Sequence, residues 1–149
     1  MSGAEGERIP VCVVDASVLV KLFVPEDGSE AAVAVVRGDT GHDTLRIVPD
    51  LAYLECANVI WKLVKRGMLA GDLARESLSD LVELPLQVQQ SLNLVESAFD
   101  LADELNITAY DAAYLALAVS MEAPLVTADA ALVRKAGRYS GLVRLLSDL

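Results

Sequence analysis

Four acidic side chains in this chain interrupt apolar patterns. Asp15 closes the run VCVV, Glu55 sits inside LAYLECANVIWKLVKR, Asp111 opens AALVRKA's upstream neighbour YDAAYLALAVSM near its start, and Asp129 follows PLVT. Glu55 is the most informative. Its neighbours at i−4, i+4 and i+8 are Leu51, Val59 and Leu63, which places it on an apolar stripe of a helix. Neither Asn58 nor Val59, one turn on, can pair with it. An isolated buried carboxylate costs several kcal/mol or takes up a proton, so Glu55 predicts a partner from elsewhere. Lysine and arginine are scarce in the sequence around all four acids. A shared divalent cation, which prefers hard oxygen donors and keeps several waters, would satisfy the set.

Each acid also has an ordinary structural explanation. Asp15 and Asp129 can N-cap the helices ASVLVKLF and AALVRKA. Thr108-Ala-Tyr-Asp111 matches a capping box, with the Asp111 carboxylate reaching back to the N-cap amide. Glu55 can meet an arginine across the core or point into a dimer interface. Capping and metal binding do not exclude each other.

The elements that must position these acids alternate between short β-branched runs and longer helical ones. VCVV (11–14), LRIV (45–48), LPLQV (84–88), PLVT (124–127) and GLVRLL (141–146) read as strands. Between them, helices are predicted over ASVLVKLF, ended by Pro25, and over SEAAVAVVR, closed by Gly38. LAYLECANVIWKLVKR follows Pro49 and Asp50, and Gly67 fits its C′ position. GDLARESLSDLVEL then lies back against it as a helical hairpin from Leu51 to Leu84. LNLVESAFDLADEL and YDAAYLALAVSM are separated by Asn106 and Thr108 as stop and start signals, and AALVRKA ends at Gly137. This alternation predicts a parallel sheet with helices on both faces. In such a sheet ligands bind beyond the carboxyl ends of the strands, where Asp15 and Asp129 project by position.

Composition narrows the function classes. The 149 residues suit one domain, with residues 1–10 as a tail, and 54% hydrophobic against 23% charged residues argues for a packed globule. No apolar run is long enough for a membrane span and no secretory h-region opens the chain, so a cytoplasmic protein is expected, with no membrane partner. The two cysteines, Cys12 and Cys56, lack metal-ligand spacing and are expected as reduced core thiols. A single histidine, His42, lies in GDTGHDT and leaves no basis for a zinc site. The net charge of −10, from 22 acidic and 12 basic residues, counts against a protein that grips nucleic acid through a basic face alone. It fits a protein that spends some acids on a cation.

In its motifs the chain resembles the PIN-domain family, and within it the VapC-like toxins of toxin–antitoxin pairs. V-V-D-A-S-V, L-A-Y-L-E-C-A-N, T-A-Y-D-A-A-Y-L-A-L-A and L-V-T-A-D-A-A-L carry the resemblance, in that order, over nearly the whole chain after residue 10. The resemblance implies a three-layer α/β/α fold around a parallel sheet of about five short strands. It also implies a Mg²⁺- or Mn²⁺-dependent ribonuclease. Asp15, Glu55, Asp111 and Asp129 would be its acidic metal quartet and catalytic residues, with Ser17 and Thr127 as supporting hydroxyls. Those hydroxyls can equally serve turns or caps. Lys62, Lys65 and Arg66, with Arg134, Lys135 and Arg138, are the candidate RNA-backbone contacts, although cations at helix C-termini explain them more simply. The implied partners are RNA, a second copy of the chain and a small antitoxin protein.

Other enzyme classes with acids at strand ends fit less well. A haloacid-dehalogenase-like phosphatase needs D-x-D after its first strand, and here Ala16 and Ser17 follow Asp15. A receiver domain needs adjacent acids near its first strand and a late lysine beside its phosphorylation site, and neither is present. The remaining alternatives are a non-catalytic protein of this fold acting through dimerisation and partner binding, and a nuclease of RNA processing or of DNA that has no antitoxin.

Overall fold

The computed structural model describes residues 10–38 and 44–149. His42 and most of the expected N-terminal tail lie outside them. Five strands of the described residues form one parallel sheet: β1 (Val11–Val14), β2 (Leu45–Pro49), β3 (Gln87–Gln89), β4 (Leu125–Thr127) and β5 (Val143–Leu145), in the order β3-β2-β1-β4-β5. The two central strands carry almost nothing but β-branched and apolar residues, as a parallel strand covered on both faces requires. Their register pairs Val13 with Leu125 and Val14 with Val126, so β4 runs one residue, Thr127, beyond the end of β1.

Among the described residues seven α-helices flank this sheet in a three-layer α/β/α arrangement: α1 (Ala16–Leu19), α2 (Ser29–Arg37), α3 (Leu51–Lys65), α4 (Gly71–Val82), α5 (Val95–Leu105), α6 (Ala109–Met121) and α7 (Ala130–Lys135). α6 crosses β1, β2 and β4 and is covered in turn by α5. Its residues Ala112–Ala118 are all buried, which explains why its sequence is apolar all round rather than striped. The alanines let α6 approach the sheet closely. Cys12 and Cys56 are buried free thiols, and burial pushes them up to about 11 and about 12.

Several boundaries follow from local chemistry. α3 ends in a Schellman motif: Gly67, at φ 70, donates its N–H to Val64 O, and Met68 N donates to Leu63 O at 2.9 Å. Asn106, at φ 54, ends α5, and Thr108 Oγ1 accepts from Asp111 N at 3.1 Å to start α6. Asp50 precedes α3 but makes no cap bond. Its carboxylate accepts instead from the backbone N–H and the hydroxyl of Ser91, tying the exit of β3 to the start of α3.

Three elements differ from the sequence expectation. The helix expected over LNLVESAFDLADEL opens as a 3₁₀ turn over Ser91–Leu94 before α5. ASVLVKLF is not one helix: α1 lasts a single turn and gives way to a 3₁₀ turn over Val20–Leu22. Its β-branched residues Val18 and Val20 hold a regular helix weakly. The strand expected over LPLQV begins later, at Gln87, beyond Pro85, which has no N–H to give to a ladder. Among the described residues no helix is long and apolar enough to cross a membrane.

Candidate active site

The sheet order reverses at β1, which lies between β2 and β4, and the crevice opens beyond the carboxyl ends of β1 and β4. Asp15 follows β1 and Asp129 closely follows β4. Glu55, in the second turn of α3, and Asp111, in the first turn of α6, approach the same place. All four acids line a single cavity of about 260 Å³, together with Ser17. Residues up to 114 positions apart are thus brought together by four different elements.

Asp15 is 5% exposed. It stands at the N-cap position of α1 but makes no side-chain cap bond, so the capping explanation fails for it. Its Oδ2 accepts from Ser17 Oγ at 2.6 Å and from Thr127 Oγ1 at 2.7 Å. Each hydroxyl is itself oriented by a backbone N–H, from Ala128 to Ser17 and from Asp129 to Thr127. The oxygens are therefore committed as acceptors from the backbone and donate toward Asp15. Burial pushes the Asp15 carboxyl above the usual range, the hydroxyl bonds pull it back in part, and the Asp129 charge adds to the rise.

Glu55 is half-buried and borders the buried stripe of α3, which runs through Ala52, Cys56 and Ile60, rather than lying within it. The reason is that Val59, expected inside the stripe, is 38% exposed. Its predicted partner is a phenol and not an arginine: Tyr114 Oη donates to Glu55 Oε1 at 2.7 Å. Burial, then the charges of Asp15 and Asp111, raise the Glu55 carboxyl, while the phenol lowers it. Sequence reasoning missed Tyr114. The available signal was a tyrosine at the centre of an apolar helix, one turn after Asp111, because a buried phenol requires an acceptor.

Asp111 realises half of the expected capping box. Thr108 Oγ1 accepts from its N–H, but the carboxylate makes no return bond to the Thr108 amide. Burial and the charges of Asp15 and Asp129 raise this carboxyl, against the pull of the Thr108 hydroxyl and of Lys135. Asp129 does cap α7, accepting from Ala131 N at 2.9 Å and Leu132 N at 3.3 Å through Oδ1 alone. Its Oδ2 has no hydrogen-bond partner among the described residues.

The basic candidates divide. Lys135 lines a second cavity of about 440 Å³ that shares Asp111 and Asp129 with the first. It is thus a cation close to the acids that their local sequence does not reveal. Arg134 is exposed beside it on α7. Lys62, Lys65 and Arg66 are exposed toward the far end of α3, with Lys65 Nζ 5.9 Å from the Trp61 ring centre. Arg138 is engaged by Glu104 through two hydrogen bonds of 3.1 and 2.8 Å.

The donor set fits a hard divalent cation in kind: carboxylate oxygens, several without protein partners, whose mutual repulsion a cation would relieve. As the side chains stand, no three His, Cys, Asp or Glu groups among the described residues are close enough to enclose one. The acids surround a common space and have not converged on a point in it. Such a site attracts protons or cations, and it repels a bare phosphate unless one of these is bound.

Comparison with known proteins agrees with this architecture. The pattern of the PIN domain matches residues 12–138. Ribonuclease VapC3 of Pyrobaculum aerophilum is 41% identical over 125 residues, covering 83% of this chain and 92% of that protein. Among solved structures, PAE2754 from Pyrobaculum aerophilum superposes with a TM-score of 0.69 at 22% identity, covering 98% of this chain and 95% of that one. A toxin–antitoxin complex from Klebsiella pneumoniae contains a chain that matches with a TM-score of 0.59 at 17% identity, covering 91% and 97%. The extent of the family match and the identity to VapC3 lead to one assignment: the chain belongs to the PIN-domain family, and within it to the VapC-like proteins.

Proposed function

We propose that this protein is a Mg²⁺- or Mn²⁺-dependent endoribonuclease that hydrolyses RNA phosphodiester bonds at the four-acid cavity, and that it is the toxin of a VapBC-type toxin–antitoxin pair. The observation that carries the reading is the meeting of Asp15, Glu55, Asp111 and Asp129 around one cavity at the switch point of the sheet. Three of the four carboxyls are raised by burial and by one another's charge. Like charges collected there cost stability until something positive is bound, and such clusters are characteristic of functional sites.

Asp15, Glu55, Asp111 and Asp129 would hold the ion. Bound there, it would supply Lewis acidity toward the phosphoryl oxygen and lower the proton affinity of water. The protein's own groups do the positioning. Ser17 and Thr127 fix Asp15 through one oxygen and leave Oδ1 without a side-chain partner. Asp129 keeps Oδ2 while Oδ1 caps α7. Lys135, which lines the adjoining cavity with Asp111 and Asp129, is the candidate to anchor the RNA backbone.

The partner assignment rests on the relatives: VapC3 is named a ribonuclease, and a chain of similar fold occurs in a toxin–antitoxin complex. A second copy of the chain or an antitoxin would find apolar surface on the α3–α4 hairpin, where Leu54, Trp61, Met68 and Leu73 are exposed.

The test is cleavage of single-stranded RNA by the purified protein with Mg²⁺ or Mn²⁺ and with EDTA. Cleavage is expected only with metal, and Asp111→Asn should lower the rate at least ~100-fold with its circular dichroism unchanged. Full cleavage in EDTA, or by Asp111→Asn, would overturn the proposal.

A further inference from the structure

We infer that Tyr114 is a positioning residue for the metal site, acting through Glu55. The inference rests on the metal-site reading above and adds to it a group that touches neither ion nor substrate. The Tyr114 ring is fully buried on α6, one turn beyond Asp111, and its hydroxyl spans the gap to α3 to reach Glu55 Oε1 at 2.7 Å. No other hydrogen bond from this hydroxyl is present among the described residues, and the two side chains are 59 positions apart in sequence.

The chemistry of the contact is one-sided. The phenol has one proton, and the contact commits it to one oxygen of Glu55. That oxygen is thereby turned into the wall between α3 and α6, and Oε2 is the oxygen left for the cavity. Without the bond, a half-buried glutamate has three torsions with which to turn toward water. The contact also fixes the spacing of the two elements that deliver Glu55 and Asp111 to the same cavity. The parallel with Asp15 is close: hydroxyls occupy one oxygen and leave the other. Outer groups of this kind set the orientation of metal-binding side chains and commonly change metal affinity 10–100-fold when removed.

Calorimetric titration of Mn²⁺ into the full chain tests the inference, comparing wild type, Tyr114→Phe, Glu55→Gln and the double variant. Phenylalanine keeps the buried ring and removes one oxygen. Tyr114→Phe should weaken Mn²⁺ binding by roughly 10-fold. In the Glu55→Gln background the same substitution should add less than ~2-fold, because the tyrosine acts through that carboxylate. Wild-type affinity in Tyr114→Phe, beside weakened binding in Glu55→Gln, would overturn the inference and leave the metal site standing. Absence of Mn²⁺ binding by wild type would overturn both. Should Tyr114→Phe fail to fold, nuclear magnetic resonance of ¹³Cζ-labelled tyrosine in the wild-type fold gives the answer. The Tyr114 signal, assigned by replacing Tyr53, Tyr110 and Tyr139 with phenylalanine, should shift on addition of Mg²⁺ and stay still in Glu55→Gln. A Tyr114 signal unmoved by saturating Mg²⁺ would likewise overturn the inference.

Discussion

Asp15 holds a carboxylate in a nearly dry position because two hydroxyls, each steered by the backbone, donate to one of its oxygens. Yet its carboxyl stays above the usual range, as do those of Glu55 and Asp111. A carboxyl that binds its proton more tightly folded than unfolded gives a stability contribution that is full below the unfolded pKa. It is lost as pH rises through the folded one. Metal-free protein should therefore melt higher as pH falls from 7 toward the ordinary carboxylate range. Relief of the −10 net charge acts in the same direction, so the wild-type slope alone is not diagnostic. Asp111→Asn isolates the site: in EDTA at pH 7 it should raise Tm and flatten its rise on acidification. Each kcal/mol of relief corresponds to roughly 2–4 °C. Thermal melts of both proteins from pH 5 to 8 check this, and parallel curves with equal Tm would remove the charge strain attributed to the cluster.

At the scale of the elements, Asp129 divides its two oxygens between a helix and the cavity. Oδ1 accepts the first free N–H groups of α7, while Oδ2 has no protein partner. Substitutions can separate the two duties. Asp129→Ser keeps a capping oxygen and should hold stability within about 0.5 kcal/mol, whereas Asp129→Ala should cost about 1 kcal/mol. Both should lose RNA cleavage. If the serine variant kept cleavage, Asp129 would be a cap and nothing more. The sequence made this cap legible, along with Thr108, Gly67 and the strand–helix alternation, because each depends on a few adjacent residues. It did not reveal the break after α1, where β-branched propensity and tertiary contacts compete within one turn. Nor did it reveal the Tyr114 bond or the closeness of Lys135 to Asp111, since such contacts arise only when separate elements dock. For Glu55 the periodicity is informative and incomplete: it places the carboxylate on the apolar stripe that the residue in fact borders and predicts a partner, but the partner's identity is settled by α6.

For the whole molecule, the question is how a chain of net charge −10 could hold a polyanion. A bound cation would reverse the local field at the acids, and the remaining attraction must come from a few well-placed basic groups. The fold separates the candidates by distance. Lys135 borders the cavity that shares Asp111 and Asp129, while Lys62 to Arg66 lie roughly 10–16 Å along the α3 axis from Glu55, at 1.5 Å per residue. Lys135→Ala should therefore weaken RNA binding more than the joint change Lys62→Ala, Lys65→Ala and Arg66→Ala. Loss of one phosphate contact to a single strand should reduce the slope of log K against log salt by about 0.7. Fluorescence anisotropy with labelled RNA in an inactive Asp15→Asn background, with Mg²⁺ present and salt varied, measures both quantities. Unchanged binding and slope in Lys135→Ala, beside a large loss in the α3 variant, would move the RNA path to the α3–α4 hairpin. That hairpin also exposes the apolar surface suited to a protein partner, so RNA and antitoxin would then compete for one face. An effect centred on Lys135 would instead leave the hairpin free for protein contacts while RNA enters between α6 and α7.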